Sequence, residues 1–179
     1  PDTSIDHYRL ALEGDPRHGS TVVALEALME DVDRRGIVAE MLQPFYKAEM
    51  DWPKLVDAIE ARLDSTPDPE ERKPLLLEMG EIYELQIDDL EKAFETYARL
   101  FRDDIEDPKT RDLLSRLGNV LDAWPQLAEI YSNALDDVVA DTEGTTELAF
   151  VLADIYDDKC SDHEKARDAY RRVLSFDPD

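Results

Sequence analysis

The chain has 179 residues and is strongly acidic: 44 Asp and Glu stand against 20 Lys and Arg, which gives a formal net charge of −24. A surface of this charge repels nucleic-acid phosphates and anionic lipid headgroups, so the composition disfavours both as partners. Hydrophobic residues make up 42% of the chain, which is enough for a core. No run of them reaches the roughly 18 residues that span a bilayer.

Helix-forming residues dominate, and apolar residues recur at the three- and four-residue spacings of a helix face. Asp51 precedes one such segment, and either Ser161 or Asp162 precedes the last, where the side chain is suited to capping a helix N-terminus. Pro44 lies within the third segment and is expected to kink or split a helix there. The sequence predicts ten helices, near residues 3–14, 19–32, 35–48, 52–65, 71–86, 90–103, 109–121, 124–139, 145–159 and 163–176.

Two stretches of the chain repeat each other in order. Trp-Pro-Lys-Leu at 52–55 recurs as Trp-Pro-Gln-Leu at 124–127. Met-Gly-Glu-Ile-Tyr-Glu at 79–84 recurs as Leu-Ala-Asp-Ile-Tyr-Asp at 152–157, where the offset is longer by one position, as a slip in a loop explains. Because the agreement keeps its order over a long stretch, it indicates an internal repeat.

The repeated residues follow an order typical of the tetratricopeptide repeat family, whose unit of about 34 residues is a pair of helices. Small residues occupy positions 80 and 153, where only a small side chain lets two helices pack closely. The chain resembles this family at Met79, Gly80, Tyr83, Ala93, Tyr97, Leu100 and Pro108, and again at Leu152, Ala153, Tyr156, Ala166, Tyr170, Val173 and Pro178.

The resemblance implies an all-α fold in which about ten helices form a right-handed solenoid of antiparallel pairs. It implies a single repeat domain over 1–179, with clearer repeats at 72–108 and 145–178, a degenerate repeat at 109–139 and weakly matching helices over 1–66. The chain is expected to be a fragment of a longer array. The structural repeat positions, which are expected to pack between helices, are Gly80, Tyr83, Ala93, Tyr97, Ala153, Tyr156, Ala166 and Tyr170.

In this family the first helix of each pair lines a groove that receives a partner. The resemblance therefore implies an acidic groove with an apolar floor, suited to a basic or mixed basic and apolar segment of a protein. It lacks the Lys, Arg or Asn residues that clamp a terminal carboxylate, so a C-terminal acidic peptide is not expected to bind. The simpler alternative is an acidic surface that serves solubility or salt tolerance. The implied partner-binding residues are Leu77, Glu81 and Glu84 in one repeat and Phe150, Asp154 and Asp157 in the other.

No motif for catalysis, phosphate binding or metal binding occurs in the sequence, so we expect no catalytic residues, no metal and no cofactor. Cys160 and His163 are three positions apart, but two ligands do not make a metal site. Cys160 is the only cysteine, which excludes an intramolecular disulfide and favours a reducing, cytoplasmic location.

The sequence thus favours a non-enzymatic scaffold or adaptor that holds a protein partner or joins copies of itself. An alternative is an interaction or regulatory module of a larger signalling or enzymatic protein, with the chemistry outside this chain. An enzyme on a helical solenoid is a third class, and it would need convergent His, Cys or Arg side chains in the groove.

Overall fold

The computed structural model describes residues 3–15, 18–137 and 142–176. This part of the chain contains ten α-helices and no strand, which confirms the all-α prediction. Two of the helices, α5 and α9, continue directly into π-helical turns at Tyr83–Ile87 and Ile155–Lys159. The helices are α1 (Thr3–Gly14), α2 (Gly19–Leu28), α3 (Arg35–Glu49), α4 (Trp52–Leu63), α5 (Pro69–Ile82), α6 (Leu90–Asp103), α7 (Pro108–Val120), α8 (Trp124–Asp136), α9 (Glu143–Asp154) and α10 (His163–Phe176).

Pro44 does not split its helix, because α3 runs without interruption from Arg35 to Glu49. A proline inside a helix removes one backbone hydrogen bond, and packing of the remaining turns can offset that loss. In α3 the face that carries Val38, Leu42 and Tyr46 is buried. Of the two outcomes expected at Pro44, the split is therefore wrong, and the kink stays a prediction.

The helix starts follow the capping chemistry that the sequence indicates. The Asp51 carboxylate accepts a hydrogen bond of 3.3 Å from the backbone N–H of Lys54 at the start of α4. The Asp162 carboxylate accepts one of 3.1 Å from the N–H of Lys165 at the start of α10. Both bonds satisfy an N–H group that has no partner within its own helix.

The chain divides into two compact units, Pro1–Asp89 and Leu90–Asp179. In the first unit α3 packs against α4, and Leu42 and Ile59 are completely buried. In the second unit α6 packs against α7, α8 against α9 and α9 against α10, around a core that includes Phe101 and Tyr131. A single repeat domain over 1–179 stays a prediction.

Four turns between consecutive helices share one backbone feature. Each contains one non-glycine residue in the left-handed region, at φ between 53° and 61°. Such residues are uncommon because the side chain crowds the following carbonyl group. They are Met50 between α3 and α4, Asp88 between α5 and α6, Asp122 between α7 and α8, and Ser161 between α9 and α10.

The hydrogen bonds that close these turns are of two kinds. Each kind occurs at two turns that are equivalent in the sequence repeat. The N–H of Asp51 donates to the carbonyl of Tyr46 at 2.9 Å, and at the equivalent turn Ala123 donates to Gly118 at 2.8 Å. The N–H of Asp89 donates to the carbonyl of Tyr83 at 2.8 Å, and at its equivalent turn Asp162 donates to Tyr156 at the same distance. The local backbone therefore repeats where the sequence repeats.

Candidate functional site

The predicted partner-binding residues of the first unit lie on α5 and its π-helical turn. Glu81 is exposed, whereas Leu77 and Glu84 are half-buried. Their role in binding a partner stays a prediction.

The predicted partner-binding residues of the second unit are exposed, but two of them already have partners on α10. The Tyr170 hydroxyl donates a hydrogen bond of 2.7 Å to Asp154, and this bond raises the pKa of Tyr170 to about 12. Nδ1 of His163 lies 2.6 Å from a carboxylate oxygen of Asp157. Phe150 remains 47% exposed. Asp154 and Asp157, which are expected to face a partner, therefore already make contacts within the chain.

The structural repeat positions do not share one environment. Gly80, Ala93, Tyr97, Ala153 and Ala166 are buried. Three of the four tyrosines that are expected to pack between helices, Tyr83, Tyr156 and Tyr170, are only half-buried, so they are not core residues.

Two of these half-buried tyrosines make a polar contact at the surface, which explains why they are not fully buried. The Tyr170 hydroxyl reaches Asp154, and the ammonium of Lys165 lies 5.3 Å from the centroid of the Tyr156 ring. A tyrosine can place its ring on apolar surface and its hydroxyl in water, so a periodic tyrosine need not be buried.

A cleft that the sequence does not indicate lies between α6 and α8 in the second unit. Its volume is about 1100 Å³. Phe94, Ala98 and Ala134 are buried residues in its lining, while Glu95 and Glu129 are exposed residues in its lining. None of the predicted partner-binding residues lines this cleft.

A second cleft of about 800 Å³ lies between α8 and α10. Glu129 and Asn133 line both clefts, so the two meet along α8. The cations of the second cleft are engaged with carboxylates: Arg172 lies 2.6 Å from Asp136, and Lys165 lies 3.7 Å from Asp162. Arg172 also donates to the backbone carbonyl of Leu135 at the end of α8. Arg172 therefore connects α10 to the C-terminal end of α8.

The first unit contains a polar cluster that joins three helices. The ammonium of Lys54 on α4 donates to the Glu26 carboxylate on α2 at 2.8 Å, and the Tyr46 hydroxyl on α3 donates to it at 3.1 Å. The bond from Lys54 lowers the pKa of Glu26, whereas burial raises the pKa of Tyr46. Because every polar group in the cluster already has a partner, we assign it a structural role.

No three His, Cys, Asp or Glu side chains converge as metal ligands within residues 3–15, 18–137 and 142–176. Burial raises the pKa of the half-buried Cys160 thiol, which lowers its thiolate fraction. Over the same residues, every helix is too short or too polar to cross a membrane.

Neither protein-family models nor curated proteins match the chain. Among solved structures, the chain is similar to a crystal structure of MamA protein, with 18% sequence identity and a TM-score of 0.43. The similarity covers 82% of this chain and 75% of that chain.

Proposed function

We propose that the chain is a non-enzymatic scaffold of the tetratricopeptide type, which binds a basic or mixed basic and apolar segment of a partner protein. The recurrence of the two turn geometries is the observation that carries this proposal. Repeated helix pairs build extended surfaces from short local contacts, and such surfaces are widely used for binding proteins. The two sequence units that resemble this family, 72–108 and 145–178, contain one of the repeated turns each.

The charge of the surface selects the partner. With 44 acidic against 20 basic residues, a basic segment is attracted over a distance set by the ionic strength, and an acidic one is repelled. Electrostatic attraction mainly accelerates and orients association, while apolar contacts supply most of the affinity. A suitable partner segment therefore combines Lys or Arg with apolar anchors.

Calorimetric titration tests this function. The probe is a synthetic amphipathic helix with Leu along one face and Lys on both flanks, and the matched control is the same peptide with Glu in place of each Lys. We expect the Lys peptide to bind at low salt, to bind more weakly at high salt, and the Glu peptide not to bind. Equal binding of both peptides, or none of the Lys peptide at low salt, contradicts the proposal.

A further inference from the structure

We propose that the cleft between α6 and α8 is the docking site for a single amphipathic helix of a partner protein, which carries Lys or Arg beside an apolar stripe. The inference rests on the proposed function and names the surface that performs it. It differs from the sequence-based expectation, which places the partner against Glu81 and Glu84 in one repeat and Asp154 and Asp157 in the other.

The shape of the cleft suits a helix. Its lining begins at Glu91 in the first turn of α6 and extends to Asp103 in the last turn. It runs equally along α8, from Gln126 to the C-cap residue Asp137. A lining of this extent is roughly 18 Å long at 1.5 Å per residue, which is the length of a helix of about twelve residues.

The floor of the cleft allows close approach. Ala98 on α6 and Ala134 on α8 are buried and small, so the backbone of a docked helix can come near both elements. Phe94, Leu121 and Ile130 add apolar surface for anchoring side chains. A docked helix with Leu, Ile or Met at three- and four-residue spacings would cover this floor.

The lining charges favour a basic partner. Five carboxylates and two guanidinium groups line the cleft. Glu95 and Glu129, one on each wall, are exposed and make no ion pair or hydrogen bond with any residue that the structure describes. Both are therefore able to pair with Lys or Arg of a docked helix without giving up an existing contact.

Charge reversal at the cleft gives the first part of the test. Glu95→Lys with Glu129→Lys is expected to weaken binding of the Lys peptide roughly tenfold or more, because two attractions become two repulsions. The matched control, Asp112→Lys with Asp158→Lys, makes the same change in net charge at exposed positions outside both clefts. Its effect is expected to be severalfold smaller.

The second part of the test looks for a gain of affinity, because a variant that fails to fold would not bind the peptide more tightly. Arg102 lines the cleft and is exposed, so Arg102→Glu is expected to strengthen binding of the Lys peptide severalfold. Lys109→Glu, which changes the net charge equally outside the clefts, is the control and is expected to have less effect. Circular dichroism of every variant establishes that it is folded.

The results separate the two proposals. If the wild-type protein fails to bind the Lys peptide, the proposed function fails and this inference with it. If the wild-type protein binds but the cleft variants behave like their controls, only the docking site is overturned. The same holds if Asp154→Lys with Asp157→Lys weakens binding more than the cleft variant does.

Discussion

At the scale of single residues, the pairing of Tyr170 with Asp154 shows how far a periodic pattern can be interpreted. The sequence predicts that Tyr170 packs between helices and that Asp154 faces a partner, whereas in the structure a hydrogen bond at the surface joins the two. Repeat positions tell which residues are equivalent along the chain. They do not tell which polar groups lie opposite each other on neighbouring helices, because that depends on how the helices pack.

This pairing predicts a change in the titration of one tyrosine. Replacing Asp154 with Asn removes the acceptor charge, so the pKa of Tyr170 should fall from about 12 towards 10. Since the folded pKa is the higher one, the neutral phenol contributes stability that is present below pH 10 and lost as the pH rises through about 12. Absorbance of tyrosinate against pH measures the shift, with Tyr170→Phe to assign the signal. An unchanged titration in Asp154→Asn would show that the bond is absent in solution.

Substitution of Tyr131 is expected to change the stability of the protein, because the Tyr131 ring is completely buried. The ring centroid lies 5.1 Å from that of Phe101, while its hydroxyl is 3.4 Å from the Arg111 carbonyl and from the Ser115 hydroxyl. Tyr131→Ala should lower the free energy of unfolding by about 3–5 kcal/mol, since it leaves a large cavity. Tyr131→Phe should lower it by no more than about 1 kcal/mol, since the hydrogen bonds are long. Urea denaturation measures both, and equal losses would contradict burial as the cause.

At the scale of the elements, several of the helices could be predicted because their starts carry strong local signals. Asp caps, and Pro within the first two residues of α4, α5, α7 and α8, set the starts. The observed starts lie close to the predicted ones, whereas α2 stops at Leu28, a full turn before the predicted end at residue 32. The π-helical turns could not be predicted, because no local sequence rule distinguishes them from the end of an α-helix.

The left-handed turn residues predict where a glycine stabilises the fold. Met50 has φ 57° and is 70% exposed, so Met50→Gly relieves strain and removes few contacts. We expect it to raise the free energy of unfolding by about 0.5–1 kcal/mol. Asp122→Gly is the comparison at the equivalent turn, and its gain should be smaller because Asp tolerates this conformation better. A loss of stability in Met50→Gly, measured by urea denaturation, would show that the turn differs in solution.

The α6–α8 cleft also belongs to this scale, and the sequence does not reveal it. Its walls are rows of residues on two helices that α7 separates along the chain. Periodicity identifies each row but not which rows face each other. The small residues Ala98 and Ala134, set among charged residues of the same rows, are the one signal that could have indicated it.

At the scale of the whole molecule, the repeat in this chain is longer than one helix pair. The turns at Met50 and Asp122 are alike, and so are those at Asp88 and Ser161, whereas neighbouring turns differ in their closing hydrogen bonds. The turn geometry therefore recurs at every second turn, from Met50 to Asp122 and from Asp88 to Ser161, a spacing of 72 or 73 residues that also separates Trp52 from Trp124 and Tyr83 from Tyr156. A tetratricopeptide unit of about 34 residues is roughly half of this length.

The net charge of −24 predicts that salt stabilises the protein. Repulsion between like charges opposes the compact state, and screening weakens this repulsion as the Debye length falls from about 10 Å at 0.1 M to about 3 Å at 1 M. The exposed ion pairs lose little at the same time, because each contributes little to stability. Urea denaturation at increasing NaCl should show a rising free energy of unfolding. A constant or falling value would mean that attractive pairs outweigh the net repulsion.

Amide hydrogen exchange of the whole protein, followed along the helices of the second unit with and without the Lys peptide, tests most directly whether a partner helix binds in the α6–α8 cleft. Binding in the cleft predicts slower exchange along α6 and α8, around Ala98 and Asn133, with little change along α9. Protection centred on Asp154 and Asp157, or protection spread evenly over the surface, would contradict it.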